Sequence, residues 1–137
     1  WNVKFARALD ADSPFAARRA LGDKDARALA RDLLHMTPDD FAAAFTGSPM
    51  KRAKLRGLKR NAAVALGNIG TTEDSDVLVR ALHHHEALVR SHAAWALGRL
   101  AGPASAAALR DRLEAEPDEG VRANLRSALD AVSRSGR

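Results

Sequence analysis

Between residues 26 and 36 the apolar positions Leu29, Leu33 and Met36 recur at helical spacing and mark one inward face, with Asp25 placed as a cap. Upstream, Ser13-Pro14 reads as an N-cap followed by proline at the first helical position. It predicts a helix from Pro14 to about Leu21, ended by Gly22. Thr37-Pro38-Asp39-Asp40 has the order of a capping box and opens a helix that turns Phe41, Ala44 and Phe45 inward. Ser48-Pro49 repeats that signal. The helix it opens carries Leu55, Leu58, Ala62, Ala65, Leu66 and Ile69 in one apolar stripe.

From there the pattern repeats itself. NAAVALGNIG (61–70) aligns with HAAWALGRLAG (92–102) at an offset of 31, and LVRSHAAWAL (88–97) with GVRANLRSAL (120–129) at 32. Leu78 and Leu82 of one preceding helix fall on Leu109 and Leu113 of the next. Gly70, Gly102 and Pro103 punctuate the units, and Pro117 and Gly120 break one internally. A period near 31 that codes two helices predicts an all-α fold, an α-solenoid of compact HEAT-like helical repeats behind an N-terminal set of short helices. The expected organisation is one domain over 1–137, with N-terminal helices to residue 48, repeats over 49–132 and a frayed tail over 133–137. The last helix, about Asp118–Val132, has the larger Leu125 and Arg126 where earlier copies have small residues, as a capping repeat does.

Composition supports thin, close-packed helical layers. Alanine is about a fifth of the chain, aromatics are 4%, and tyrosine is absent. There is no cysteine, so no disulfide framework and no thiolate ligand or nucleophile. No apolar run approaches the length of a membrane span, and no signal-peptide pattern is present; a cytoplasmic monomer is expected. The chain begins at Trp1, which fits a processed product or a piece of a longer protein.

The net charge of +5 has one origin. Residues 1–48 hold seven cations and seven carboxylates, and residues 71–137 hold nine and ten. Residues 49–70 hold Lys51, Arg52, Lys54, Arg56, Lys59 and Arg60 with no carboxylate. Arg52, Arg56 and Arg60 stack at i, i+4 and i+8, with Lys59 beside them and the small Ala63 and Gly67 continuing the row. Like-charge pairs at this spacing, and cations in a first turn, together cost about 1–2 kcal/mol. A solvated or neutralised face is the plain explanation. A polyanion site is the favoured one, because an arginine ridge and the free amides after Ser48 suit a phosphodiester backbone. Gly57 has no role that the sequence reveals.

On the second helices, Asn61, Val64 and Asn68 occupy the places of His92, Trp95 and Arg99, a row expected on the concave side. Trp95 either plugs a gap between repeats or stacks on a base or partner surface. His92 reads as a hydrogen-bonded structural residue. Arg90 and Arg122, with Lys59 in the matching place, recur at the start of these helices and are expected to bond loop carbonyls or acids. The His83-His84-His85 run reads as a turn and helix end, since three adjacent histidines do not converge on one ion. No nucleophile–base pair, phosphate-binding glycine loop or HExxH pattern appears, and no catalytic residue or metal ligand is assigned.

GSPMKRAKLRGLKRNAAVALGN followed by LVRSHAAWALGRL resembles the C-terminal HEAT-like domain of the epoxyqueuosine reductases. The likeness runs over about 1–131 and is strongest at Ser48, Arg52, Gly57, Arg60, Asn61, Gly67 and Asn68, then Arg90, His92, Trp95 and Gly98. WNVKFAR resembles the segment that follows the last cysteine-proline of the family's ferredoxin-like cluster pair. The resemblance implies an enzyme that reduces epoxyqueuosine to queuosine at the tRNA wobble position, using cobalamin and two [4Fe–4S] clusters held by preceding domains. Those domains would stand N-terminal to Trp1; the cluster cysteines are absent from this chain. The HEAT-like part would help hold the tRNA anticodon arm without catalysis of its own. Arg52, Arg56, Lys59 and Arg60 would then contact phosphates, with Lys51 and Lys54 adding field. Asn61, Asn68, His92, Trp95 and Arg99 would lie near nucleotides or the edge of the catalytic domain. The alternatives are a protein–protein scaffold and a stand-alone enzyme of the related phycobilin-lyase type.

Overall fold

The computed structural model describes residues 26–44 and 52–136. The helix expected from Pro14, the Asp25 cap, Phe45, the Ser48-Pro49 start and Lys51 lie outside that range, as do the side chains of Ala44, Arg52 and Lys54. Among the described residues the regular structure is helical throughout: α1 (Ala26–His35), α2 (Pro38–Ala44), α3 (Arg52–Ile69), a 3-10 turn (Thr72–Asp74), α4 (Ser75–Ala81), α5 (Ala87–Leu100), α6 (Pro103–Ala115) and α7 (Glu119–Ser135).

Local chemistry sets the helix ends. At α2 the capping box closes as the sequence predicts, with the Asp40 amide donating to Thr37 Oγ1 at 3.0 Å and the Thr37 amide to Asp40 Oδ2 at 3.2 Å. At α7 the Val121 amide donates to Asp118 Oδ1 at 2.9 Å. That helix runs on through Ser135, three residues past the expected end at Val132, so most of the supposed frayed tail is helical. Gly70 follows α3 because its amide bonds the Leu66 carbonyl at 2.8 Å and any Cβ there would collide with the same oxygen. At the end of α5 the left-handed residue is Ala101, at φ 52°, one position before the glycine that the sequence marks as the break.

The helices form two layers. α3, α5 and α7, the second helices of successive units, pack side by side; α1, α4 and α6 form the other layer. Leu33, Leu66, Leu78, Leu82, Leu97, Leu109 and Leu125 are fully buried between them, each contributing about 1.5–3 kcal/mol of apolar burial. Alanines 62, 63, 93, 94 and 96 are also buried, which lets the second helices approach closely. At Gly98 a Cβ would stand 3.0 Å from Ala128 Cα, so the α5–α7 approach depends on the missing side chain. Ile69 departs from the expected stripe: at the last position of α3 it is 44% exposed.

α1 is fastened to the repeats by charge. Arg27 Nε and Arg31 Nη1 converge on the fully buried Asp74, and Arg31 also reaches Asp76. Burial pushes the Asp74 carboxyl up, but Arg27, the Thr71 amide and Arg31 outweigh it and hold it below its ordinary range. The acids just after the basic segment thus serve α1 rather than the arginine ridge.

Candidate nucleic-acid interface

The basic helix α3 lies in the second-helix layer beside α5. Its cations have separate fates. Arg56 is exposed, and its Nη1 reaches Glu86 Oε2 at 3.4 Å, so one carboxylate from α5's N-cap partly offsets the ridge. Arg60 is half-buried and donates from Nε to Asn61 Oδ1 at 3.2 Å. Among the described residues no carboxylate pairs with Arg60 or Arg99.

Lys59 is a correction. It was expected beside the ridge, on phosphate; it is buried, 5% exposed, with Nζ 3.3 Å from His84 Nε2. The reason is a clasp that recurs one repeat later. In the next copy Arg90 donates from Nε and Nη2 to the two oxygens of Glu116 at 2.7 and 2.9 Å, and from Nη1 to the His84 and His85 carbonyls at 2.8 and 3.1 Å. Glu116 also accepts the Asp118 amide at 3.0 Å, as His84 Nδ1 accepts the Glu86 amide at 3.0 Å. Lys59–His84 therefore stands where Arg90–Glu116 stands one repeat later. Arg122 continues the series, donating to the Leu113 and Glu116 carbonyls at 3.0 and 3.3 Å. These cations order the loops between helices, as their recurrence in the sequence implies.

The clasp also sets unusual titrations. Burial pushes His84 down to about 4, with the Lys59 charge adding to it, and burial lowers Lys59 as well. Burial pushes Glu116 up, but Arg90, the Asp118 amide and Arg112 prevail and hold it at about 2. His84 and His85 stack at 4.3 Å between centroids. Among the described residues no three His, Cys, Asp or Glu groups converge on a metal position.

The row on the second helices comes together around Trp95. The ring lies over Gly67, where a Cβ would stand 2.5 Å from the ring edge. The small row of Ala63 and Gly67 is therefore not an open surface: Ala63 is buried and Gly67 is roofed by Trp95. Arg99 donates from Nε to the Gly67 carbonyl at 3.0 Å and holds its guanidinium 5.4 Å from the Trp95 centroid, within cation–π reach. Trp95 remains 39% exposed, so it both fills the gap between units and presents a surface. Asn68 is exposed at the same end of α3.

His92 and Trp95, with Val64, Ser91 and Asn124, line an open pocket of about 340 Å³. The His92 ring donates from Nδ1 to the Leu88 carbonyl at 2.9 Å, which leaves Nε2 as an acceptor in the neutral ring. Asn124 Nδ2 donates to Ser91 Oγ at 2.6 Å, joining α7 to α5 across the pocket. Ser91 and Asn124 escaped the sequence reading as site residues. The signal was present for Asn124, which falls on His92 at the offset of 32.

A sequence model of HEAT repeats matches residues 52–130, which covers α3 to most of α7. The chain belongs to the HEAT-repeat family. Among curated proteins, this HEAT-repeat chain is similar to the epoxyqueuosine reductase of Bacillus subtilis (strain 168), 27% identical over 112 residues, or 81% of the chain and 29% of that protein. It is likewise similar to the epoxyqueuosine reductase of Xanthomonas campestris pv. campestris, 36% identical over 100 residues, or 72% of the chain and 26% of that protein. A solved epoxyqueuosine reductase, crystallised with an epoxyqueuosine-modified tRNA-Tyr stem loop, superposes with a TM-score of 0.68 at 25% identity, covering 76% of this chain and 28% of that one. A selenomethionine-labelled epoxyqueuosine reductase gives 0.66 at 25% identity over 75% of this chain and 28% of that one. The HEAT-repeat chain thus spans little more than a quarter of the proteins it matches, and the resemblance read from its motifs is met by relatives of that name.

Proposed function

We infer that this domain grips the anticodon arm of a tRNA as the RNA-binding portion of an epoxyqueuosine reductase, in a cytoplasmic queuosine-modification system. One observation carries the reading: Arg56 and Arg60 climb one side of α3 with, among the described residues, a single carboxylate, Glu86, set against them. A helix optimised only for stability would interleave opposite charges there. Likeness to a reductase solved with a tRNA stem loop supports the same partner. Arg56 and Arg60 bind phosphates, with Arg52, Lys54 and Lys51 extending the ridge, while Asn61, Asn68, His92, Trp95 and Arg99 lie near the nucleotides. Lys59 is left to the clasp.

In the full-length enzyme proposed here, reduction of the epoxide belongs to domains N-terminal to Trp1, which hold cobalamin and two [4Fe–4S] clusters. The chain has no cysteine to ligate the clusters, and among the described residues no three His, Cys, Asp or Glu groups converge on a metal position. The HEAT-repeat domain supplies position rather than chemistry. A scaffold for another protein would present a broad apolar patch, whereas the large hydrophobic residues exposed among those described are Ile69 and Trp95 alone.

Titration of the domain with an anticodon stem-loop RNA at two salt concentrations tests the reading. Affinity should fall steeply as salt rises, and Arg56→Ala and Arg60→Ala should each reduce the salt slope by about one. Salt-independent binding, or no binding at low salt, refutes it.

A further inference from the structure

We propose that the pocket in front of Trp95 receives one unstacked RNA base, so that the domain distinguishes a loop from a duplex. The proposal rests on the RNA-binding reading above and adds the nucleotide-level site to it.

The cavity has suitable walls. Trp95 closes one end with an aromatic surface, Val64 forms an apolar side on α3, and Ser91, His92 and Asn124 supply polar edges from α5 and α7. Its volume, about 340 Å³, sits at the small end of ligand pockets, which run from about 300 to 1,000 Å³. Trp95 is fixed in place, since Gly67 backs it and Arg99 is tied to the Gly67 carbonyl beside it. A rigid ring loses little freedom when a base stacks on it.

The polar atoms are also partly committed. His92 spends Nδ1 on the Leu88 carbonyl and keeps Nε2 as an acceptor. Asn124 spends one N–H on Ser91 Oγ and keeps Oδ1, and the Ser91 hydroxyl keeps its own proton to donate. Such a rim pairs with the amino and carbonyl groups on the edge of a base. A buried methyl or phenyl group would leave those atoms unpaired.

Charge supplies the register. Arg60 lies one turn before Val64 on α3, about 6 Å along the axis, and has no carboxylate partner among the described residues. A phosphate held at Arg60 brings its own nucleotide to the mouth of the pocket. In a duplex the bases are stacked inward and none can enter; in a loop one can turn out.

The test compares two RNAs, an anticodon stem-loop and a fully paired RNA of equal length, on the parent chain, Trp95→Ala and Val64→Phe. Val64→Phe fills the pocket while keeping Trp95, and far-UV circular dichroism checks that both variants stay helical. Both variants should lose affinity for the stem-loop by about 5- to 150-fold, the effect of one lost base stack, and keep that for the duplex. The pocket assignment is overturned if both bind the stem-loop like the parent, or if stem-loop and duplex affinities fall together. A parent that binds neither RNA at low salt sinks the RNA reading itself, and this proposal with it. A parent that binds both RNAs equally sinks the pocket alone.

Discussion

Glu116→Gln probes the clasp that fixes one repeat against the next. Glu116 is 2% exposed, and its two oxygens take the Arg90 Nε and Nη2 hydrogens in bidentate fashion. Arg112 Nε adds a third contact at 3.1 Å, and Arg90 itself is buried. The amide keeps one carbonyl acceptor and the shape, but turns an NH₂ towards a guanidinium that pairs with no other carboxylate among the described residues. Two routes give the cost. Removing one partner of a buried pair costs about 3–5 kcal/mol. The carboxyl falls from 4.5 to about 2 on folding, and at about 1.4 kcal/mol per unit this is about 3 kcal/mol, an upper figure where water screens the edge of the pair. The loss expected at pH 7 is thus about 2–4 kcal/mol, or roughly 10 °C in the thermal midpoint of a chain this size.

The pH dependence has a definite sign. The folded pKa is depressed, so the unfolded chain binds the extra proton between pH 4.5 and about 2. Stability from Glu116 is complete above 4.5 and is lost as pH falls towards 2. Urea denaturation of parent and variant at pH 7, 4 and 2.5 should show a gap that narrows over that window. A variant within about 0.5 kcal/mol of the parent at pH 7 is the size of an ordinary surface substitution and refutes the reasoning. A gap that stays constant from pH 7 to 2.5 refutes it equally.

Three further outcomes are expected. The His84 ring, followed by NMR, should titrate near 4; its folded pKa is below its unfolded one, so its stabilising effect is lost as pH falls from 6.5 towards 4. Ala101→Gly should stabilise by about 0.5–1 kcal/mol in denaturant titration, because the left-handed C-cap at φ 52° is strained for alanine. Gly57→Ala should stabilise α3 by about 0.5–1 kcal/mol, since a Cβ there meets nothing nearer than Arg60 Nη2 at 4.0 Å. If that variant also weakens stem-loop binding, measured by anisotropy, the RNA backbone passes at Gly57.

Much of the architecture was legible because it is local or periodic. The Thr37–Asp40 box needs only a few consecutive residues, and it formed as its order dictates. The period near 31 announced stacked helix pairs, since such a unit cannot bury its apolar face alone. The recurrence of Arg90 and Arg122 pointed to loop carbonyls, and that is where they donate. The break after α5 was legible at Gly102, but that its left-handed residue is Ala101 was not, because alanine carries no local signal for that conformation.

The sequence by itself determined the helices, their pairing into repeats and the concentration of positive charge on α3. Only the tertiary structure decided which of those charges faces water. Lys59 lies about 40° from Leu55 and about 60° from Arg56 around the helix, so the wheel leaves it on the border of both faces. The α4–α5 loop, 25 residues away, settles the matter by bringing His84 against it. Trp95 was equally open: its burial depends on Gly67 in the neighbouring helix, and its use depends on the space between Val64 and Asn124. Periodicity fixes a direction around one axis, whereas coverage depends on how the next helix is rotated and how closely it approaches.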